Sequence, residues 1–105
     1  MKPVSLSPEA VVELSQAASW YESRQTGLAI RFLHEIDQAR HAIPSRPLSF
    51  PRLADTASDL EIRRALLPRF PYAVVFLELP TEIRVLAVAH VKRRPDYWLN
   101  RLQTA

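Results

Sequence analysis

The stretch Tyr72-Ala73-Val74-Val75-Phe76-Leu77 decides the fold class, because it is almost wholly apolar and carries no charge. Such an uninterrupted apolar run predicts a central strand that is covered on both faces. Residues 60–67 before it alternate apolar and polar side chains, and Pro80-Thr81-Glu82 after it predicts a turn into a third strand over 83–91. We therefore predict two consecutive antiparallel hairpins, which pair 60–67 with 72–79 and 72–79 with 83–91.

Two helices are predicted before this sheet. Ser7-Pro8-Glu9 offers an N-cap, a proline at the first helical position and an acid in the first turn, and an apolar stripe extends the first helix over about 8–24. We expect Thr26 to cap a second helix and Pro44 to end it. Because the break between the helices is short, they should form an antiparallel hairpin.

The remaining segments complete an α+β order of β-α-α-β-β-β-α. Residues 3–6 suggest a short first strand, residues 44–58 a loop, and Pro95-Asp96 the start of a short last helix that carries Tyr97 and Trp98. The prediction is a single domain over 1–105, with the helical hairpin packed on one face of a mostly antiparallel twisted sheet. The opposite face should stay partly open, and we expect function there and after the last strand.

Composition excludes several classes of protein. The 105 residues suffice for one domain with one core, and the absence of cysteine excludes disulfides, thiol chemistry and cysteine zinc sites. The longest uncharged, mostly apolar run covers residues 70–77, far short of the ~20 residues of a membrane-spanning helix. The N-terminus has no apolar signal region, so the expected location is the cytoplasm.

The positive charge is concentrated in the second half. Residues 51–105 hold nine basic and six acidic side chains, whereas residues 1–50 hold five of each, and the net charge is +3. Twelve of the fourteen basic residues are arginine, whose planar fork suits phosphates and carboxylates. The excess suggests an anionic partner, although codon usage in a GC-rich genome would also favour arginine.

Sequence motifs of the common catalytic classes are absent. The chain has no glycine-rich phosphate loop, nucleophile elbow or HExxH pair, and its three histidines do not form a ligand set, so we expect neither metal nor cofactor. The densest polar segment is His90-Val91-Lys92-Arg93-Arg94-Pro95-Asp96-Tyr97-Trp98. These groups could hold a phosphate backbone, stack a base or transfer a proton. Alternatively, the cations are solvated and the two aromatic residues anchor the last helix.

A second basic cluster comprises Arg63, Arg64 and Arg69, with Arg84 on a neighbouring strand. Successive strand residues point to opposite faces, so Arg63 and Arg64 cannot both share the open face. Arg64 is in register with the apolar residues of its strand, and it is either a buried arginine that needs a carboxylate or the end of the strand. Solvated or ion-paired arginines are the simpler interpretation of this cluster.

The order of elements and several residue patterns together resemble the RelE/ParE superfamily of type II toxins. The matching segments are Glu9-Ala10, Glu13-Leu14, Trp20-Tyr21-Glu22, Gly27-Leu28-Ala29, Phe32-Leu33, Phe50-Pro51, Ile62-Arg63-Arg64-Ala65-Leu66-Leu67 and Arg69-Phe70-Pro71-Tyr72-Ala73-Val74-Val75-Phe76. The ending Val85-Leu86-Ala87-Val88-Ala89-His90 with Arg93-Arg94-Pro95 and Tyr97-Trp98 is typical of the plasmid-stabilisation members.

This resemblance implies a compact toxin that is neutralised by an antitoxin encoded beside it. RelE-like members cut mRNA in the ribosomal A site, and ParE-like members poison DNA gyrase. In the RelE-like pattern an arginine commonly follows the strand tyrosine, but here Ala73 follows Tyr72. The lysine pair of the preceding strand is also missing, with Glu61 and Arg63 roughly in its place. The resemblance therefore favours the ParE-like branch.

We predict a cytoplasmic toxin of a plasmid-stabilisation system that inhibits growth by binding a target such as DNA gyrase, without being an enzyme. The expected target-binding residues are Arg63, Arg69, Arg84, Lys92, Arg93 and Arg94. One alternative is a RelE-like endoribonuclease that acts on ribosome-bound mRNA, with catalytic residues His90, Lys92, Arg93 and Tyr97. A further alternative is a degenerate, non-toxic module that binds its antitoxin. Each implies a toxin–antitoxin hetero-oligomer away from membranes.

Overall fold

The fold combines a helical hairpin with a four-stranded sheet. A computed structural model describes residues 1–53, 61–94 and 96–104. The elements are β1 (Val4–Leu6), α1 (Pro8–Arg24), α2 (Leu28–Ser45), β2 (Ile62–Leu66), β3 (Tyr72–Glu78) and β4 (Ile83–His90), with short 3₁₀ helices at Pro47–Ser49 and Leu99–Thr104. This confirms the predicted α+β order and the bounds of the first helix.

The sheet has the strand order β1-β4-β3-β2. β1 runs parallel to β4, while β2 with β3 and β3 with β4 form the two predicted antiparallel hairpins. A bulge interrupts the second hairpin, because Val75 lies opposite Ala87 and Phe76 opposite Val85, so that Leu86 is the extra residue. The sheet is therefore mostly antiparallel, as the sequence predicts.

The helical hairpin covers one face of the sheet. Phe32 and Phe76 are fully buried at this interface, and burial of such a side chain contributes about 1.5–3 kcal/mol. The other buried members of this core are Ala10, Ala17, Ile36, Ile43, Ala65, Leu67, Val74, Ile83, Val85 and Val88.

The opposite face is more covered than the sequence indicates. Trp98 is 3% exposed and packs with the buried residues of this face, which are Ile62, Val75, Leu77, Leu86, Ala87 and Ala89. Leu99 and Leu102 pack beside Trp98, so the segment after β4 covers much of the surface that we expected to be open. The interpretation that Trp98 anchors the last helix is confirmed.

The N-cap of α1 agrees with the prediction, whereas the N-cap of α2 differs from it. Ser7 caps α1, since its Oγ accepts a hydrogen bond from the Ala10 N–H at 3.1 Å. The expected Thr26 cap of α2 is wrong: Gly27 is the N-cap, at φ 95°, and the Glu22 carboxylate accepts the Gly27 and Ala29 N–H groups at 3.1 Å. A left-handed φ suits glycine, because this residue has no Cβ to clash with the backbone.

The predicted stop at Pro44 is also wrong, by one residue. α2 includes Pro44 and ends at Ser45. A proline removes one backbone hydrogen bond and displaces one carbonyl of the preceding turn. Within the final turn that loss affects a single bond, so the helix continues for one more residue.

The predicted loop over 44–58 contributes to the sheet edge. The Leu53 N–H donates to the Ile62 carbonyl at 2.8 Å and the Arg64 N–H to the Pro51 carbonyl at 3.2 Å, which pairs residues 51–53 with the outer side of β2. Residues 54–58 of that loop and the first residue of the predicted strand 60–67 lie outside the described residues.

The predicted start of the last helix at Pro95-Asp96 is wrong. Asp96 has φ 68°, which a regular right-handed helix does not contain, and the 3₁₀ helix begins at Leu99. The Leu99 N–H donates to the Asp96 carbonyl at 3.0 Å, so Tyr97 and Trp98 lie in the preceding turn. Pro95 lies outside the described residues.

Candidate functional site

The candidate site is built at the end of β4, where the chain turns sharply. The Arg93 N–H donates to the His90 carbonyl at 3.0 Å, and the Lys92 N–H donates to His90 Nδ1 at 3.1 Å. The His90 ring packs edge-on against Tyr72 of β3, with 5.2 Å between ring centroids. Lys92, Arg93 and Arg94 are all exposed, and the turn directs Arg93 back toward Glu13 of α1.

Glu13 of α1 joins this turn to the C-terminal segment. Its carboxylate accepts hydrogen bonds from Tyr97 Oη at 2.6 Å and from both terminal nitrogens of Arg101 at 2.9 and 3.1 Å. The Val88 N–H donates to the same carboxylate at 3.1 Å, and Arg93 Nη1 lies 3.5 Å away. We call Glu13, Tyr97, Arg101 and Arg93 the Glu13 cluster.

The Glu13 cluster is tightly packed as well as charged. The side chains of Glu13 and Arg101 are 12% and 11% exposed. Both arginines also pack on the Tyr97 ring, with Arg93 Cζ 3.8 Å and Arg101 Cζ 5.0 Å from its centroid. Charge-assisted hydrogen bonds at this degree of burial fix the C-terminal segment against α1.

Tyr97 is held in its protonated form. Burial, the hydrogen bond to Glu13 and the negative charge of that carboxylate all raise the pKa of Tyr97 well above its usual value. A phenol in this state keeps its proton, donates a hydrogen bond to its partner and does not remove a proton from a substrate near neutral pH.

Two clefts meet at this end of the sheet. The α1 cleft, of about 610 Å³, lies between α1 and the sheet and is bordered by Trp20, Tyr21, Tyr72, Val88, His90 and Arg93. The sheet-face cleft, of about 430 Å³, lies on the opposite face and is bordered by Arg52, Arg64, Val75, Arg94, Tyr97 and Trp98. His90 and Arg93 border both clefts, so the two form one continuous surface.

A third cleft lies on the far side of the hairpin. This α2 cleft, of about 850 Å³, is bordered by Ile30, Arg31, His34, Glu35 and Arg69. Glu35 is buried and accepts the Arg69 backbone N–H at 3.1 Å.

The fold of this chain matches that of a solved structure. A chain from the structure described as "Chromosomal ParDE TA system from P. aeruginosa" superposes with a TM-score of 0.73, over 86% of this chain and 96% of that chain, at 16% identity. This chain therefore has a ParDE-type fold. No family model and no curated protein matches the sequence. The fold that the RelE/ParE resemblance implies is confirmed.

On this ParDE-type fold, the predicted target-binding arginines do not share one surface. Arg63 points to the edge of β2, where it donates to the Phe50 carbonyl at 2.8 Å and pairs with Glu61 at 3.4 Å. Arg84 donates to Ser5 Oγ at 3.0 Å and pairs with Glu82 at 3.3 Å, at the β1 side of the sheet. Of the predicted target-binding residues, the group Lys92, Arg93 and Arg94 lies at the candidate site. Arg69 instead borders the α2 cleft.

The four residues of the nuclease alternative lie close together in chain position, but their contacts differ. Tyr97 and Arg93 belong to the Glu13 cluster, and Lys92 is exposed. His90 Nδ1 already accepts the Lys92 N–H, which leaves Nε2 as the ring nitrogen able to transfer a proton.

Arg64, Glu13 and Arg101 lie at the site but are absent from the site residues predicted from the sequence. Strand β2 continues through Arg64, which lies opposite Val75 on the sheet face and is half-buried. Within residues 1–53, 61–94 and 96–104, no hydrogen bond or ion pair engages its guanidinium. The sequence signal for Arg64 was its register with Ile62. No sequence pattern marked Glu13 as a site residue, since it was predicted only to lie in a helix.

The described part of the chain contains neither a metal-binding cluster nor a membrane-spanning helix. Among its described residues, no group of three or more His, Cys, Asp or Glu side chains is arranged to hold a metal ion. No described helix is both long enough and apolar enough to span a bilayer.

Proposed function

We propose that this protein is the toxin of a type II toxin–antitoxin system of the plasmid-stabilisation kind. In this proposal it is ParE-like, acts in the cytoplasm, inhibits growth by binding a target such as DNA gyrase, and is neutralised by a cognate antitoxin. The observation that carries the proposal is the ParDE-type fold, which extends over 96% of the compared chain. The sequence resemblance to the RelE/ParE superfamily points the same way.

The state of Tyr97 supports binding rather than cleavage. A nuclease that used Tyr97 as its base would have to remove the Tyr97 proton, yet that hydroxyl donates to Glu13 at 2.6 Å and its pKa is raised, which leaves His90 as the proton-transfer candidate. Lys92, Arg93 and Arg94 are all exposed at this end, and of the three only Arg93 is paired with an acid among the described residues, with Glu13 at 3.5 Å. Long-range attraction to an anionic protein surface needs only such charges and no proton transfer.

The test uses purified protein in two parallel assays, DNA supercoiling by gyrase and cleavage of mRNA on ribosomes. We expect inhibition of supercoiling without mRNA cleavage. Neutralising Lys92 and Arg94 together should weaken inhibition and its salt dependence, whereas Arg40→Ala should not, because Arg40 is an exposed arginine of α2 that borders none of the three clefts.

The nuclease alternative retains one favourable observation, since His90, Arg93 and Tyr97 border the same sheet-face cleft. If the protein cleaves mRNA, His90→Ala or Tyr97→Phe should lower the rate about 10²–10⁴-fold while the melting temperature shows that the fold is intact. That result would contradict the binding mechanism. Inactivity in both assays combined with tight antitoxin binding would instead support a degenerate module.

A further inference from the structure

The α2 cleft contains a buried carboxylate whose hydrogen bonding is incomplete. Glu35 is 6% exposed, and its Oε1 accepts the Arg69 N–H at 3.1 Å. Within the described residues, no hydrogen bond reaches its second oxygen, Oε2, and no cation pairs with either oxygen. A buried carboxylate normally has a cation or several donors beside it, because burial removes the solvation of its charge. Since Glu35 borders the cleft, a donor group bound there would supply the missing partner.

The rim of the α2 cleft is basic. Arg31, His34 and Arg69 are exposed and border it, and Glu35 is the only acid among its described lining residues. Within the described part of the chain, the guanidinium groups of Arg31 and Arg69 have no acidic partner. Arg31 lies four residues before Glu35 on α2, and side chains at this spacing are neighbours on a helix. The arginines therefore lie near the buried carboxylate and fit a carboxylate of a ligand.

One wall of the α2 cleft is apolar. Ile30, which is 74% exposed, and Phe70 both border it. The Phe70 ring packs against the rings of Phe32 and Tyr21, with 5.3 and 4.8 Å between centroids, so this wall is a fixed part of the core. The cleft volume of about 850 Å³ is within the range of about 300–1,000 Å³ that small-molecule sites have. The cleft therefore combines a buried acceptor, a basic rim and an apolar wall.

We propose that the α2 cleft binds a small zwitterion of the amino-acid class that carries an apolar side chain. Its ammonium group donates to Glu35 Oε2, and its carboxylate pairs with Arg31 and Arg69. Its side chain packs against Ile30 and Phe70. None of these five residues borders the α1 cleft or the sheet-face cleft, so the site is separate from the candidate functional site and does not depend on the proposed function.

Ligands with one kind of charge fit this cleft less well. A polyamine or a metal ion would approach Glu35 past Arg31 and Arg69, which repel it. A phosphate would pair with the arginines, but it would lie near the Glu35 carboxylate and leave Oε2 without a donor. A zwitterion meets both requirements, because a single carbon atom separates its ammonium nitrogen from its carboxylate.

Isothermal titration calorimetry with the unaltered chain tests the two charges of the ligand separately. The probes are L-phenylalanine, phenylpropionate, which lacks the ammonium group, and phenethylamine, which lacks the carboxylate. We expect L-phenylalanine to bind and each analogue to bind at least about tenfold more weakly, because each loses a charge-assisted contact. The proposal is overturned if neither L-phenylalanine nor L-leucine binds at about 10 mM, or if phenylpropionate binds as tightly as L-phenylalanine.

Variants test whether the ligand lies in the α2 cleft. Arg31→Ala and Arg69→Ala should each weaken L-phenylalanine binding about tenfold, and both should fold, because these side chains are exposed. Arg40→Ala is the matched control and should leave Kd unchanged, since Arg40 is an exposed arginine of α2 that does not border the cleft. Unchanged binding in both Arg31→Ala and Arg69→Ala would overturn the assigned site.

Glu35→Gln tests the contact with the ammonium group. It should abolish the preference for L-phenylalanine over phenylpropionate, and a preference that persists in the folded variant would contradict the assigned contact. If Glu35→Gln does not fold, the comparison of the two ligands on the unaltered chain still tests that contact.

A nucleotide is the competing occupant, because guanosine monophosphate carries N–H donors for a carboxylate and a phosphate for arginines. If guanosine monophosphate binds more tightly than L-phenylalanine, and its binding is weakened by Arg31→Ala and Arg69→Ala, the zwitterion is the wrong ligand. All of these experiments measure the affinity of a small molecule for the purified chain. Their outcome is therefore independent of whether the protein is a toxin.

Discussion

Replacing Glu13 with glutamine should destabilise the protein more than the loss of any exposed ion pair would. The change keeps the shape of the side chain but removes the charge that Arg101 and Tyr97 contact at 2.9 and 2.6 Å. It leaves the Arg101 guanidinium, 11% exposed, without its carboxylate. Removing one partner of a buried ion pair costs about 3–5 kcal/mol.

We take the lower end of that range, because the amide oxygen of glutamine can still accept one hydrogen bond. A loss of about 3 kcal/mol is a large share of the 5–15 kcal/mol that stabilises a typical domain. For a chain of this length it corresponds to a fall in Tm of about 12 °C or more. Urea unfolding followed by circular dichroism measures the free energy directly.

Asp37→Asn is the matched control. Asp37 pairs with His41 at 3.6 Å on the surface of α2, with both side chains more than half exposed. Such pairs contribute roughly 0–1 kcal/mol. Combining Glu13→Gln with Tyr97→Phe should cost less than the sum of the two single changes, because both remove the same hydrogen bond. A cost for Glu13→Gln no larger than that of Asp37→Asn would refute the structural role of the Glu13 cluster.

Two further predictions concern the same end of the molecule. Because the pKa of Tyr97 is raised above the usual tyrosine value of 10.0, the unfolded chain releases this proton first, and the free energy of unfolding should fall as pH rises above about pH 10. Tyr97→Phe should show a shallower fall, and parallel profiles would contradict the assigned hydrogen bond. Trp98→Ala should cost about 3–5 kcal/mol and release the C-terminal segment from the sheet, seen as faster hydrogen exchange in residues 96–102, and an unchanged exchange rate there would show that Trp98 does not anchor it.

Local sequence signals predicted most of the fold. The Ser7-Pro8-Glu9 start and the apolar run from Tyr72 depend on neighbouring residues alone, and the structure places α1 and β3 where those signals indicate. The predicted Thr26 cap failed because the observed cap depends on a less regular feature. Gly27 takes a left-handed φ and its cap comes from Glu22, a side chain of the preceding helix, which no standard capping pattern specifies.

The candidate site was predictable only in part. The segment from His90 to Trp98 was identified because its cations and aromatic residues lie close together in sequence. Glu13 and Tyr97 are 84 positions apart, and their hydrogen bond depends on how α1 packs beside β4. The predicted arginines do not form a single surface for a related reason. Arg63 lies on the edge strand β2, Arg84 lies on the interior strand β4 beside β1, and each has a nearby acid.

The most direct test of the proposed function counts colonies after induction in a sensitive bacterium. One culture expresses this chain alone, and another expresses it together with the acidic protein encoded by the adjacent gene. We expect the chain alone to lower colony number by several orders of magnitude and co-expression to restore it. Equal colony numbers in both cultures, with the chain present as folded protein, would contradict the account that it is a toxin neutralised by that partner.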